Sequence, residues 1–164
     1  MLILALGVFL LIEKENYIVI PSSSIRMRVI AASNNPKDIE NKIIVKKELE
    51  KELTNIVKNT KDVNEADYEI RSNEEGLKKT INDTLKKNNI NSSFNVNYGD
   101  NYFPEKKYNG VLYKSGNYKS YVVTLGKGEG DNFWCVLFPP LCLIDDANKA
   151  DYRFLIKDIL SKYD

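Results

Sequence analysis

The chain has 164 residues, 43% hydrophobic and 29% charged, which suits one globular domain burying about 68–70% of the surface its unfolded form exposes. Its 24 basic side chains nearly cancel the 23 acidic ones, so a net charge of +1 supplies no general field to hold nucleic acid or an anionic membrane. Histidine is absent, which excludes imidazole-based hydrolysis, His-ligated zinc and His proton shuttles, and leaves carboxylate pairs, lysine bases and an unassisted thiol.

Met1 to Ile12, "MLILALGVFLLI", carries no charge. As a helix it reaches about 18 Å, too short for the roughly 30 Å of bilayer hydrocarbon. It suits the apolar part of an export signal, although no basic stretch precedes it and Ala5-Leu6-Gly7 resembles a cleavage site only loosely. The other reading is a buried N-terminal strand or helix. The expected organisation is a signal- or anchor-like segment with linker over residues 1–20 and a single α+β domain over 21–164.

In "SIRMRVIAAS" the apolar Ile25, Met27, Val29 and Ala31 alternate with Arg26 and Arg28, the period of a strand. Asn35, Pro36 and Asp38 then form a helix start. Its apolar face runs through Ile39, Ile43, Leu49, Leu53, Ile56 and Val57 and ends near Asn59. A second long helix is expected from Asp62 and Glu65, with Ala66, Ile70, Leu77, Ile81 and Leu85 inward and Asn88-Asn89 as its stop. From residue 92 the period becomes two. "YNGVLY" and "NYKSYVVTLG" flank "KSGN", whose turn chemistry predicts a hairpin. "NFWCVLF" is a further strand, which Pro139-Pro140 must end at or before Phe138. "KADYRFLIKDILSKY" closes the chain as an amphipathic helix. The order predicts an α+β fold: a mixed, mostly antiparallel sheet with two long helices and a C-terminal helix packed mainly on one face.

Few motifs carry chemistry. "GKGEG", Gly126 to Gly130, lacks the Gly-Lys-Ser/Thr leading into a helix that a phosphate loop needs, so it reads as a connection between strands. Cys135 and Cys142 cannot complete a zinc site alone, and no His⁺ is present to activate either thiol; a disulfide and two separate buried thiols both remain open. The apolar, irregular "PPLCLIDD" either covers the sheet edge as core or anchors a partner. Asp145-Asp146 reads as a helix cap. Glu129 and Asp131 are the carboxylate pair that a cell-wall hydrolase would use, flanking a sugar cleft. Six tyrosines from Tyr98 to Tyr121, interleaved with Lys106, Lys107, Lys114 and Lys119, have the composition of a base-stacking surface, but the balanced charge favours sheet-core packing. No cofactor and no metal site is expected.

Two stretches, "IRMRVIAASNNPKDIENKIIVKKEL" and "GNYKSYVVTLGKGEGDNFWCVLFPPLCLID", resemble the stage II sporulation protein R family of endospore-forming bacteria, the similarity running from Ile25 to Asp146. The string around "NFWCVLFPPLC" is the specific part; Arg26, Arg28, Val29, Ile30 and Ala31 match a family pattern from which Ala32 and Asn34-Asn35 depart mildly. The resemblance implies a secreted, non-enzymatic signalling protein in the space between forespore and mother-cell membranes. On that resemblance it is expected to activate a membrane-embedded aspartic protease there, which would cleave a sporulation sigma-factor precursor. No nucleic acid is expected as partner, and membrane contact only through the N-terminal segment. The expected docking residues are Phe133, Trp134, Phe138, Pro139, Pro140 and Leu141, with Trp134 as anchor.

Overall fold

The computed structural model describes residues 16–144 and 148–163. The apolar Met1–Ile12 stretch and the Asp145-Asp146 pair lie outside the described residues.

The α+β architecture is centred on a four-stranded sheet in the order β3-β6-β2-β7. Its strands are β2 (Ile25–Ile30), β3 (Phe94–Phe103), β6 (Gly116–Leu125) and β7 (Asn132–Phe138). β2 runs parallel to β6, whereas β3–β6 and β2–β7 are antiparallel. One face is covered by α1 (Pro36–Val57), α2 (Val63–Ser72) and α3 (Glu74–Lys87). Alternation sends Met27, Val29, Tyr121, Val123 and Cys135 into that core, where they meet Leu49, Leu53, Ile70, Leu77 and Ile81.

Three expectations about where elements begin, turn and bury their side chains change. The predicted second helix divides at Asn73, which closes α2 with its amide on the Glu69 and Ile70 carbonyls while its own carbonyl takes the Leu77 N–H to open α3. On α1 the buried stripe runs through Val45, Leu49, Leu53 and Val57, leaving Ile43 45% exposed. The predicted hairpin across "KSGN" does not form. β5 (Val111–Tyr113) pairs with β4 (Lys106–Tyr108) and with β1 (Ile18–Val19), while β6 joins the large sheet. The hairpin lies one turn earlier, at Asn109-Gly110, where φ values of 49° and 79° suit the two-residue turn that matches strand twist.

The small sheet β1-β5-β4 and α4 (Lys149–Leu160) form a second core on the opposite face of the large sheet. Ile20, Val111, Tyr113, Val136, Leu141, Tyr152 and Ile156 meet there, and the Tyr113 and Tyr152 hydroxyls hydrogen-bond. The C-terminal helix therefore does not share the face of α1–α3 as expected, because its buried side chains pack on the Val136 side of β7. Residues 18–20, placed in the linker by the sequence reading, are part of this layer, with Ile20 1% exposed.

Candidate functional site

β7 and the turn after it divide the expected docking residues between two environments. Phe133, Cys135 and Leu137 face α1, and Trp134 and Val136 face the second core. The Phe138–Pro139 peptide is cis, and the Leu141 N–H returns to the Val136 carbonyl at 3.1 Å. Phe138, Pro139 and Leu141 are buried, and Phe138 packs edge-on against Tyr163, 4.8 Å between ring centroids. Phe133, Trp134 and Pro140 are half-buried and keep solvent-facing surface. The proline turn is thus mostly core cover, and of the six expected contact residues these three can be reached from outside.

The two cysteines are joined in a disulfide that ties β7 to the 3-10 turn Cys142–Ile144. Glu50 of α1 stands beside them, with a carboxylate oxygen within 4.8 Å of both sulfurs, and pairs with Lys46 at 2.9 Å. Bonded to each other, the sulfurs offer no thiolate to a metal. Glu50 is absent from the sequence reading because nothing in a run of alternating Lys and Glu marks one glutamate as buried.

Trp134 belongs to an aromatic box that the sequence reading missed. Its ring lies edge-on to Phe103 at 5.3 Å and to Tyr113 at 5.4 Å. Inside the box sits Arg26, 0% exposed, its guanidinium carbon 3.4 Å from the Tyr118 ring centroid and 5.0 Å from those of Phe103 and Trp134. No carboxylate pairs with it among the described residues. The π faces stand in for a counterion. Burial pushes its pKa down to about 10, against the pull of Tyr118 and Tyr113 and with a further push from Arg28, so it stays charged at neutral pH. Arg28 stacks on Phe103 at 4.0 Å and donates to the Tyr102 carbonyl at 2.7 Å. The alternating pattern in "IRMRVI" assigns both arginines to one face, but only the second layer, invisible in local periodicity, reveals that this face is covered.

The carboxylates of the hydrolase reading are not gathered into a cleft. Glu129 lines a shallow depression with Asp38 and Lys127, and Asp131 does not line it. Gly126 and Gly128 take positive φ values, 52° and 67°, and "GKGEG" is a strand connection with no helix following it.

The chain matches the family described as Stage II sporulation protein R over residues 21–148. The chain belongs to the stage II sporulation protein R family. It is 38% identical over 137 residues to Stage II sporulation protein R of Bacillus subtilis (strain 168), the match covering 83% of this chain and 61% of the relative. The chain thus spans about three-fifths of that curated relative's length. No solved structure matches it. Both the "IRMRVI" strand and the "NFWCVLFPPLC" segment fall inside the region that the sporulation family defines. Among the described residues no helix is long and apolar enough to cross a membrane.

Proposed function

We propose that this chain is an exported, non-enzymatic signal that activates a membrane-embedded aspartic protease during endospore formation, leading to processing of a sigma-factor precursor. The observation that carries this reading is membership of the sporulation family across residues 21–148. The fold supplies a surface for it. Phe133 and Trp134 present partly exposed apolar area on the two faces of the edge strand β7, and Pro140 on the turn after it, which the disulfide ties to the strand, while Phe138, Pro139 and Leu141 are buried beneath. A preformed surface spends little ordering entropy on docking. Activation then requires tighter binding to the active form of the protease than to the inactive one, since a ligand shifts an equilibrium only by its differential affinity.

The test is co-purification of the full chain with the extracytoplasmic part of the protease, with and without reductant. The reading expects a stable complex under oxidising conditions. Absence of any complex, together with normal sporulation proteolysis in cells lacking the chain, would overturn it.

A further inference from the structure

β7 is the terminal strand of its sheet, and part of its outer edge is unused. In an antiparallel ladder alternate residues turn both N–H and C=O away from the paired strand. The Val136 carbonyl takes its hydrogen bond from Leu141, outside the ladder, whereas the Asp131 carbonyl takes the Ala31 N–H on the β2 side. Counting in twos from Val136, the N–H and C=O groups of Trp134 and Asn132 also point outward. Leu141 closes the edge at Val136; at Trp134 and Asn132 no hydrogen bond from another described residue closes it.

Alongside this open stretch, α1 and β7 form a groove of about 240 Å³ lined by Lys42, Ile43, Lys46, Lys47, Asn132 and Phe133. Lys42 is only 8% exposed, and its ammonium donates to the Asp131 carbonyl at 3.1 Å without meeting a carboxylate among the described residues. Buried ammonium groups are ordinarily paired. Lys46 bonds Glu50 and lies 4.3 Å over the Phe133 ring, while Lys47 is exposed and forms no ion pair among the described residues. Ile43 and Phe133 add apolar area between these charges.

We propose that this edge receives an extended acidic segment of the partner polypeptide as an added strand. Backbone hydrogen bonds form at Asn132 and Trp134, a carboxylate of the segment meets Lys42 and Lys47, and an apolar side chain two positions along covers Ile43 and Phe133. Main-chain pairing supplies the affinity and alternate side chains the specificity, as in other strand additions. A second copy of this chain does not fit, because pairing β7 with itself brings one lysine groove against another. The inference rests on the reading that the chain acts by binding another polypeptide, and adds the edge and the chemistry that do so.

The probe is a capped peptide of Glu-Ser-Val-Ser repeats, which sets glutamate and valine two positions apart on one face of a strand, with the Lys-Ser-Val-Ser peptide as control, titrated into the isotope-labelled full chain and followed by amide NMR. The glutamate peptide is expected to shift the Asn132 and Trp134 amides and slow their exchange, and the lysine peptide to leave them unmoved. Asn132→Pro removes an outward N–H at the first position of an edge strand, where proline is tolerated, and Lys47→Glu reverses an exposed charge. Each is expected to weaken peptide binding about tenfold, the worth of one hydrogen bond or one charge contact. Equal binding of both peptides, a response confined to β3, no response at all, or undiminished binding by both variants overturns the inference. The same variants enter an assay of precursor cleavage in the presence of the protease. Should the full chain stimulate cleavage and both variants stimulate it equally, the edge is wrong and the activator reading stands. Should the peptide bind as expected while the full chain never stimulates cleavage, the activator reading falls and the edge stands.

Discussion

Arg26 and Tyr118 are stacked with 3.4 Å between the guanidinium carbon and the ring centroid, and Arg26 pairs with no carboxylate among the described residues. A buried charge held by π faces makes an asymmetric prediction. Arg26→Met swaps the charge for apolar volume and is expected to change stability by no more than about 1 kcal/mol, or to raise it, as for other buried charges replaced by hydrophobes. Tyr118→Leu leaves the guanidinium facing an aliphatic wall and is expected to cost about 2–4 kcal/mol. Urea unfolding of the two variants checks this; equal losses would show that packing volume, not charge stabilisation, governs the box.

The disulfide closes a short loop, with a sequence separation of 7. Constraint of the unfolded chain by a loop of this size is worth roughly 2–2.5 kcal/mol. Cys135→Ser with Cys142→Ser is therefore expected to lower the unfolding free energy by about that amount, and reductant is expected to shift the parent protein to the same midpoint. A parent midpoint insensitive to reductant would mean that the bond contributes nothing.

Local signals in the sequence reached β2, the start of α1 and the end of β7, because alternation, Asn35-Pro36 and Pro139-Pro140 act on their own neighbours. They failed where partners lie far along the chain. "KSGN" has the residues of a hairpin, yet β6 pairs over its whole length with β3, from Gly116 opposite Phe103 to Leu125 opposite Phe94. That ladder outweighs what a three-residue β5 could offer. Likewise, Ile43 matches a helical stripe with Ile39, but α1 rolls so that Val45 and Leu49 meet the sheet. Trp134 and Phe133 stood out by composition; their unequal surroundings, an arginine box on one face and a lysine groove on the other, depended on which layer covers each side of β7.

Asp67 fastens α2 to the sheet. Its carboxylate accepts from the Tyr98 hydroxyl at 2.8 Å and from Lys119 at 3.0 Å, and pairs with Arg71 at 3.2 Å. Burial pushes this carboxyl up, but the hydrogen bonds from Lys119 and Tyr98 and the charges of Lys119 and Arg71 outweigh it, holding the pKa below the ordinary aspartate value. A depressed folded-state pKa gives stability that is complete above the unfolded value, about 3.9, and drains away as pH falls through the folded one. Asp67→Asn is expected to flatten that acid limb in urea midpoints measured against pH. An unchanged limb would assign it to other carboxylates.

Gly130 lies where the strand connection crosses the end of β2. A Cβ there would stand 2.3 Å from the Ser33 carbonyl oxygen, a backbone atom that cannot swing aside. Gly130→Ala is expected to cost about 1–3 kcal/mol, whereas Gly76→Ala, with nothing within 4 Å of the new Cβ on an exposed turn of α3, is expected to stabilise by about 0.5–1 kcal/mol. Thermal melts of both variants check the pair, and similar shifts in the same direction would contradict it.

Within the proposed function, Trp134→Ala is expected to abolish protease activation in a chain that still folds, as judged by circular dichroism. Because Trp134 also walls the arginine box, Pro140→Ser serves as the companion variant: it alters exposed apolar surface outside the box and is expected to weaken activation without unfolding the chain. Full activation by both variants would move the docking surface away from this turn.

The central claim, activation of a protease without chemistry by the chain itself, is tested most directly by reconstitution. The membrane-embedded aspartic protease and the sigma-factor precursor are produced together in a host that does not sporulate, with and without the full chain directed across the membrane. The account predicts cleavage only when chain and protease are both present, and none when the protease's catalytic aspartates are replaced. Cleavage independent of the chain, or cleavage by the chain with the protease inactivated, would contradict it.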